Sequence, residues 1–174
     1  TSTAVLGLAS YTDGTVSATT NAQTIGGSGV YRNLAAAPTA NLTSLTVNNT
    51  NATGVTLSVP LSVSGTLTMT SGIINTTTTN LLTLGTATAA GILAGTPSAT
   101  NMVRGPFART IANANANTNY LLFPVGKTTY APIWAAPATT AVSVMKAETF
   151  DTNTGTQSAA IANMATNRRW ELPL

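Results

Sequence analysis

SLTVNNTNATGVTLSVPLSVSGTLTMTSG, from Ser44 to Gly72, repeats one pattern: an apolar residue, a Thr or Ser, another apolar residue, then a turn. Leu45 and Val47 flank Thr46, Val55 and Leu57 flank Thr56, and Leu67 and Met69 flank Thr68; farther on, Leu82 and Leu84 flank Thr83. Side chains of a strand alternate between its faces, so a period of two means one buried face and one wet face. The expected inward set is Leu45, Leu57, Leu67 and Leu84, and the expected outward set is Thr46, Thr56, Thr68 and Thr83. Turn formers separate the strands: Asn48-Asn49, Gly54, Ser64-Gly65, Ser71-Gly72 and Gly85.

Leu45 to Leu67 and Val47 to Met69 are both steps of 22 residues. That step suits a parallel β-helix, in which each coil of about twenty residues contributes two or three short strands and stacking turns the inward residues into ladders. An antiparallel sandwich would use the same strands as hairpins. The nearly constant register, with Asn and Gly turns rather than two-residue hairpin signals, favours the coil. After Thr96-Pro97 the texture changes. Strands carrying aromatic residues and charges, MVRGPFARTIA, NYLLFPVG, APIWAAP, AVSVMKAETF and RRWELPL, alternate with longer polar loops. The expectation is therefore an all-β chain, with parallel β-helix coils followed by a small β-sandwich-like region. Residues 1–98 form the Thr/Asn-rich repeat region and residues 99–174 the sandwich-like one, which breaks off inside a strand at NRRWELPL as a piece of a longer protein would.

Composition points the same way. Only 6% of the 174 residues are charged, against about 25% in a typical soluble domain, so the surface must be wetted by hydroxyls and amides. Thr and Val favour strands, and few strong helix formers are present besides Ala and Leu. There is no Cys and no His. Disulfides and thiolate metal sites are excluded, as are Ser/His/Asp and Cys/His nucleophilic systems.

Any enzymatic chemistry would have to be built from Asp13, Glu148, Asp151, Glu171, the seven cations, the four Tyr and the hydroxyls. Glu148 and Asp151 lie close together in KAETFDTNTG, but the spacing makes Glu148 an exposed strand residue and Asp151 the start of an Asx turn, not the facing pair of a glycosidase. DTNTG begins like a calcium loop yet lacks the later carboxylates. The glycines of IGGSGVYRN and FPVGK do not fit a phosphate cradle. No catalytic, metal-binding or cofactor-binding residue is assigned.

Arg32, Arg104, Arg109, Lys127 and Lys146 are scattered, and only Arg168 and Arg169 adjoin. The net charge of +3 therefore makes no patch of the kind that binds nucleic acid. No apolar run approaches the roughly 18 residues of a membrane span, and TSTAVLGLAS lacks the positive start of a signal peptide. The N-glycan patterns at Asn41, Asn48, Asn51 and Asn75 are what a chain rich in Asn and Thr produces by chance.

NYLLFPVGKTTYAPIWAAP, from Asn119 to Pro137, gathers aromatic residues around one lysine. It reads as two neighbouring strands, with Phe123, Val125, Ile133 and Trp134 in the core and Lys127 in a wet turn. The other reading makes Tyr120, Tyr130 and Trp134 contacts for a glycan, stacking on sugar rings; the apolar flanks of Trp134 favour the core. Ranks of outward Thr suit an ice or glycan surface, although Thr is also the polar residue best fitted to a pleated face.

In order, SLTVNN, VPLSVSGTLTMTSGII, LLTLG, MVRGPFARTI, YLLFPVGK, YAPIW and NRRWEL resemble segments of secreted surface proteins of Bacteroidota, long modular adhesin-like chains exported by the type IX secretion system. The resemblance covers residues from about 25 to the end. It implies an extracellular, non-enzymatic stalk or adhesin module, and carries over no binding residues. The functional expectation is a structural or adhesive module of a large cell-surface protein. A carbohydrate-binding module and a subunit of an extracellular filament are the alternatives. Its partners would be other modules of the same chain, neighbouring subunits or surface glycans.

Overall fold

Strands form where the period of two holds, and in the computed structural model they stack as a parallel β-helix. The structure describes residues 4–8, 12–14, 19–27, 31–33, 40–112, 120–136, 141–152 and 168–173, with side chains at 24–26 and from 42 onward within those segments. In chain order the strands are β1 (Ala4–Leu8), β2 (Thr12–Gly14), β3 (Thr19–Gly27), β4 (Tyr31–Asn33), β5 (Ala40–Asn49), β6 (Val55–Leu57), β7 (Leu61–Ser71), β8 (Ile74–Asn75) and β9 (Leu82–Leu84). There follow β10 (Ile92–Gly95), β11 (Val103–Arg104), β12 (Phe107–Ile111), β13 (Leu121–Phe123), β14 (Val125–Gly126), β15 (Ile133–Ala135), β16 (Ser143–Phe150) and β17 (Arg169–Glu171). No helix occurs among the described residues, and so none there is long and apolar enough to cross a membrane.

One sheet has the order β1-β3-β5-β7-β9-β12, with β10 also beside β7; the other has the order β2-β4-β6-β8-β11-β14. Every one of these pairs is parallel. The chain thus visits one sheet, crosses to the other and returns one coil further on. Parallel registers exclude the antiparallel alternative for residues 42–95. Leu45 stands beside Leu67, Thr46 beside Thr68 and Val47 beside Met69, so the 22-residue step is one coil.

Inward residues stack as expected. The ladders Ile25–Val47–Met69, Leu42–Val63–Leu84, Leu61–Leu82–Phe107 and Val55–Ile74–Val103–Val125 follow the strand registers, and none of their members is more than 1% exposed. Neighbouring strands lie about 4.8 Å apart, so the aliphatic side chains of a ladder stack directly on one another, at about 1.5–3 kcal/mol for each full burial. Thr46, Thr56, Thr68 and Thr83 are all half-buried. They do not make one Thr face: Thr24, Thr46 and Thr68 share a rank that ends at Ala94, whereas Thr56 lies in the other sheet.

Corners are tied by hydroxyls and amides, which is how so few charges suffice. The Thr76 hydroxyl donates to the Pro106 carbonyl at 2.7 Å, the Asn101 amide to the Met69 carbonyl at 2.8 Å, and the Asn75 amide to the Thr53 carbonyl at 2.7 Å. Asn75 is thus a corner tie through the nitrogen that a glycan would occupy. Gly72 has φ +103°, a left-handed backbone, and a Cβ built there would lie 2.2 Å from the Asn49 carbonyl oxygen of the adjacent coil.

β5 and β7 each turn a corner without interruption, with a register irregularity between Leu42 and Ser44. In the next coil the corner opens. Val63 pairs with Leu84 and Thr66 with Ile92, so two residues of β7 face a seven-residue loop, 85–91, that divides β9 from β10.

Both sheets run on across the change of texture at residues 96–102: Val103 pairs with Ile74, and Phe107 with Leu82. Antiparallel pairing between strands begins after β12, where β16 adds to β12, β17 to β16, and β13 pairs with β15. Phe107 and Phe123 meet edge to face at 6.1 Å beneath this layer. The layer covers the edge of β12, which would otherwise offer a row of unpaired backbone groups.

Candidate functional site

β13 and β15 form a two-stranded antiparallel sheet in which Leu121 faces Ala135, Leu122 faces Trp134 and Phe123 faces Ile133. Period two then divides the side chains. Leu121, Phe123, Ile133 and Ala135 pack on the core, and Tyr120, Leu122 and Trp134 fall on the other face. Tyr120 is 62% exposed and Trp134 60% exposed. The expectation of a core Trp134 is therefore corrected: its apolar neighbours are themselves the inward residues, which forces Trp134 out. Phe123 and Val125 are fully buried, as expected.

Tyr120 and Trp134 line one cleft of about 260 Å³, together with Leu93, Pro97, Leu122 and Arg109. Tyr130 is not among its lining residues; it is half-buried beside Gly126, and burial raises its phenol pKa. A second hollow of about 390 Å³ presents a mainly apolar surface, from Leu42, Ala87 and Val144 with the carbon atoms of Ser62, Thr83 and Thr110, and has no charged or aromatic side chain among its described residues.

Arg109 is the residue that sequence reasoning passed over. It continues the ladder Leu42–Val63–Leu84, pairing with Leu84 on one side and Met145 on the other, and only 4% of its surface is exposed. A guanidinium therefore stands where the pattern calls for an aliphatic residue. Its Nη1 donates to the Leu122 carbonyl at 2.7 Å and its Nη2 to the Gly91 carbonyl at 3.3 Å, tying the 85–91 loop and β13 to β12. Burial lowers its pKa to about 10, so it stays charged at neutral pH. The signal was present in FARTI, where Arg109 occupies the same period-two phase as Phe107 and Ile111.

The carboxylates serve the antiparallel layer. Glu148 and Glu171 are directly opposed across β16 and β17, an arrangement that is repulsive unless compensated. Compensation comes from Lys127, 2.7 Å from Glu148, and Arg169, 3.0 Å from Glu171. The ring of Phe150 lies beneath both cations, 4.0 Å from the Arg169 guanidinium carbon and 5.3 Å from the Lys127 nitrogen. Glu148 is thus a partly buried ion-pair member rather than an exposed strand residue, and Lys127 is more than a wet turn. Asp13 has no described side chain. No group of three or more acidic, His or Cys side chains gathers among the described residues, and the residues 153–155 of the calcium-like DTNTG lie outside them.

Asp151 accepts from the Thr128 amide at 2.9 Å and from the Thr128 hydroxyl, 23 residues away, fastening the turn after β14 to the end of β16. These bonds, the hydroxyl first and then the amide, with smaller help from Arg168 and Lys127, hold its carboxyl below the ordinary 3.8. A folded-state pKa below the unfolded one contributes stability that is complete above the unfolded value and is lost as pH falls through the folded value. Asp151→Asn is therefore expected to melt below the natural protein at pH 6, and the gap is expected to close in acid well below pH 3.8. The effect will be small, because the carboxylate is in contact with solvent. Melts over a pH series check it.

No protein-family model, curated protein or solved structure matches the chain.

Proposed function

We propose that the chain is a non-enzymatic structural and adhesive module of a large extracellular or cell-surface protein. The observation that carries this reading is the β-helix itself, a stack of coils that extends by repetition and shares its core between neighbours. Such a stack leaves few unpaired strands for a protease and presents broad outer walls. The engagement of Glu148, Glu171 and Asp151 in ties of the fold is consistent with it. The resemblance of the ordered segments to exported Bacteroidota chains supports a surface setting reached by type IX secretion. Incubated with common polysaccharides, the protein is expected to release no sugar. Turnover that Glu148→Gln or Asp151→Asn abolishes would overturn the proposal.

A second reading, a carbohydrate-binding module, is favoured by the exposure of Tyr120 and Trp134 on one cleft. Aromatic faces of this kind suit the apolar faces of sugar rings while their polar tips stay wet. On a glycan array, Trp134→Ala is expected to remove the signal while stability changes by no more than about 0.5 kcal/mol, as for other exposed positions. No signal from the natural protein would retire this reading.

A further inference from the structure

We infer that the cleft selects a saccharide bearing a carboxylate, with Arg109 as the residue that determines the selection. The inference rests on the carbohydrate-binding reading of the same cleft.

Its first support is the position of Arg109. Leu42, Val63 and Leu84 precede it in the ladder, and any aliphatic side chain would continue the core. Instead a cation is buried, which is costly unless a counter-charge or a full set of acceptors is present. Among the described residues no carboxylate pairs with it. Two of its nitrogens reach carbonyl oxygens, and its buried Nε has no acceptor. The guanidinium is therefore anchored in place but not neutralised.

The second support is what surrounds it. Arg109 lines the cleft whose walls are Tyr120, Trp134, Leu93 and Leu122, and none of the described lining residues is acidic. At about 260 Å³ the space falls just below the roughly 300–1,000 Å³ of sites for drug-sized ligands, so it suits one ring of a longer chain. A single uncompensated cation in a wall without an acidic residue favours a single negative charge, and the planar guanidinium matches a planar carboxylate. Aromatic walls and one buried cation together describe an acidic sugar unit such as a hexuronate.

Calorimetric titration of the natural protein with oligogalacturonate and with its fully methyl-esterified form tests this, since the two differ in charge at the same backbone. The acid form is expected to bind at least about thirtyfold more tightly, the scale set by truncating one partner of a buried charge pair. Arg109→Met is expected to erase that preference and Trp134→Ala to remove binding of both forms. Should Arg109→Met fail to fold, the ester comparison on the natural protein decides alone. Equal binding of the two forms, lost in Trp134→Ala, would overturn the selectivity and leave the carbohydrate reading standing. Binding of neither form, nor of any neutral glycan, would end both. An acid preference that survives in a folded Arg109→Met would overturn the role of Arg109.

Discussion

Leu67→Ala is expected to lower stability by about 2–5 kcal/mol, the range for truncating a large aliphatic side chain in a core that cannot close the cavity. Leu67 is fully buried and lies in register between Leu45 and Leu93. Both neighbours are held by their own strands at the fixed inter-strand spacing, so neither can move in to fill the space. Thr68, one residue on, points outward in the rank of Thr46. Thr68→Ser is expected to change stability by no more than about 0.5 kcal/mol. Chemical denaturation of the two variants side by side measures the contrast. Equal losses would mean that the faces are exchanged, because a slip of one residue turns every inward side chain outward.

Gly72→Ala is the second large effect, and it arises from the backbone instead of the core. At φ +103° a Cβ is strained, which costs about 1–3 kcal/mol. The same Cβ would sit 2.2 Å from the Asn49 carbonyl oxygen, and relieving that overlap adds about 1–3 kcal/mol. Gly72→Asn separates the two causes, since Asn tolerates the left-handed region but carries the same Cβ. Both variants are expected to lower the denaturation midpoint, Gly72→Ala clearly further than Gly72→Asn because it carries both costs. A near-normal Gly72→Asn would show that the neighbouring coil yields and that backbone strain alone was at work.

The ladders were legible because the residues that make them announce themselves locally. Leu45, Val47, Leu67 and Met69 alternate with Thr, and their 22-residue step is the registration seen between β5 and β7. Trp134 was misread because its neighbours were weighed as a group instead of by phase: Ile133 and Ala135 face the core and so turn it outward. Arg109 was passed over as one scattered cation because charge was counted along the chain, whereas its meaning lies in the ladder across coils. Asp151 suggested a local turn, and its bonds to Thr128 span 23 residues. Contacts of that range leave no trace in spacing. The fold does not by itself say what the cleft holds, since function resides in particular side chains placed on a scaffold.

The opened corner between β9 and β10 makes the repeat editable. In β7 two residues round that corner, and one coil later seven do so, yet the strands on either side keep their partners. Loop closure grows more costly only slowly, by about 0.6 kcal/mol for each doubling of length. Such a coil can lengthen at its rim while its ladders stay in step. The parts of the chain that hold it upright and those that meet the outside world are then free to change at different rates, and a foreign peptide placed near Ala87 would hang from the wall without entering the stack.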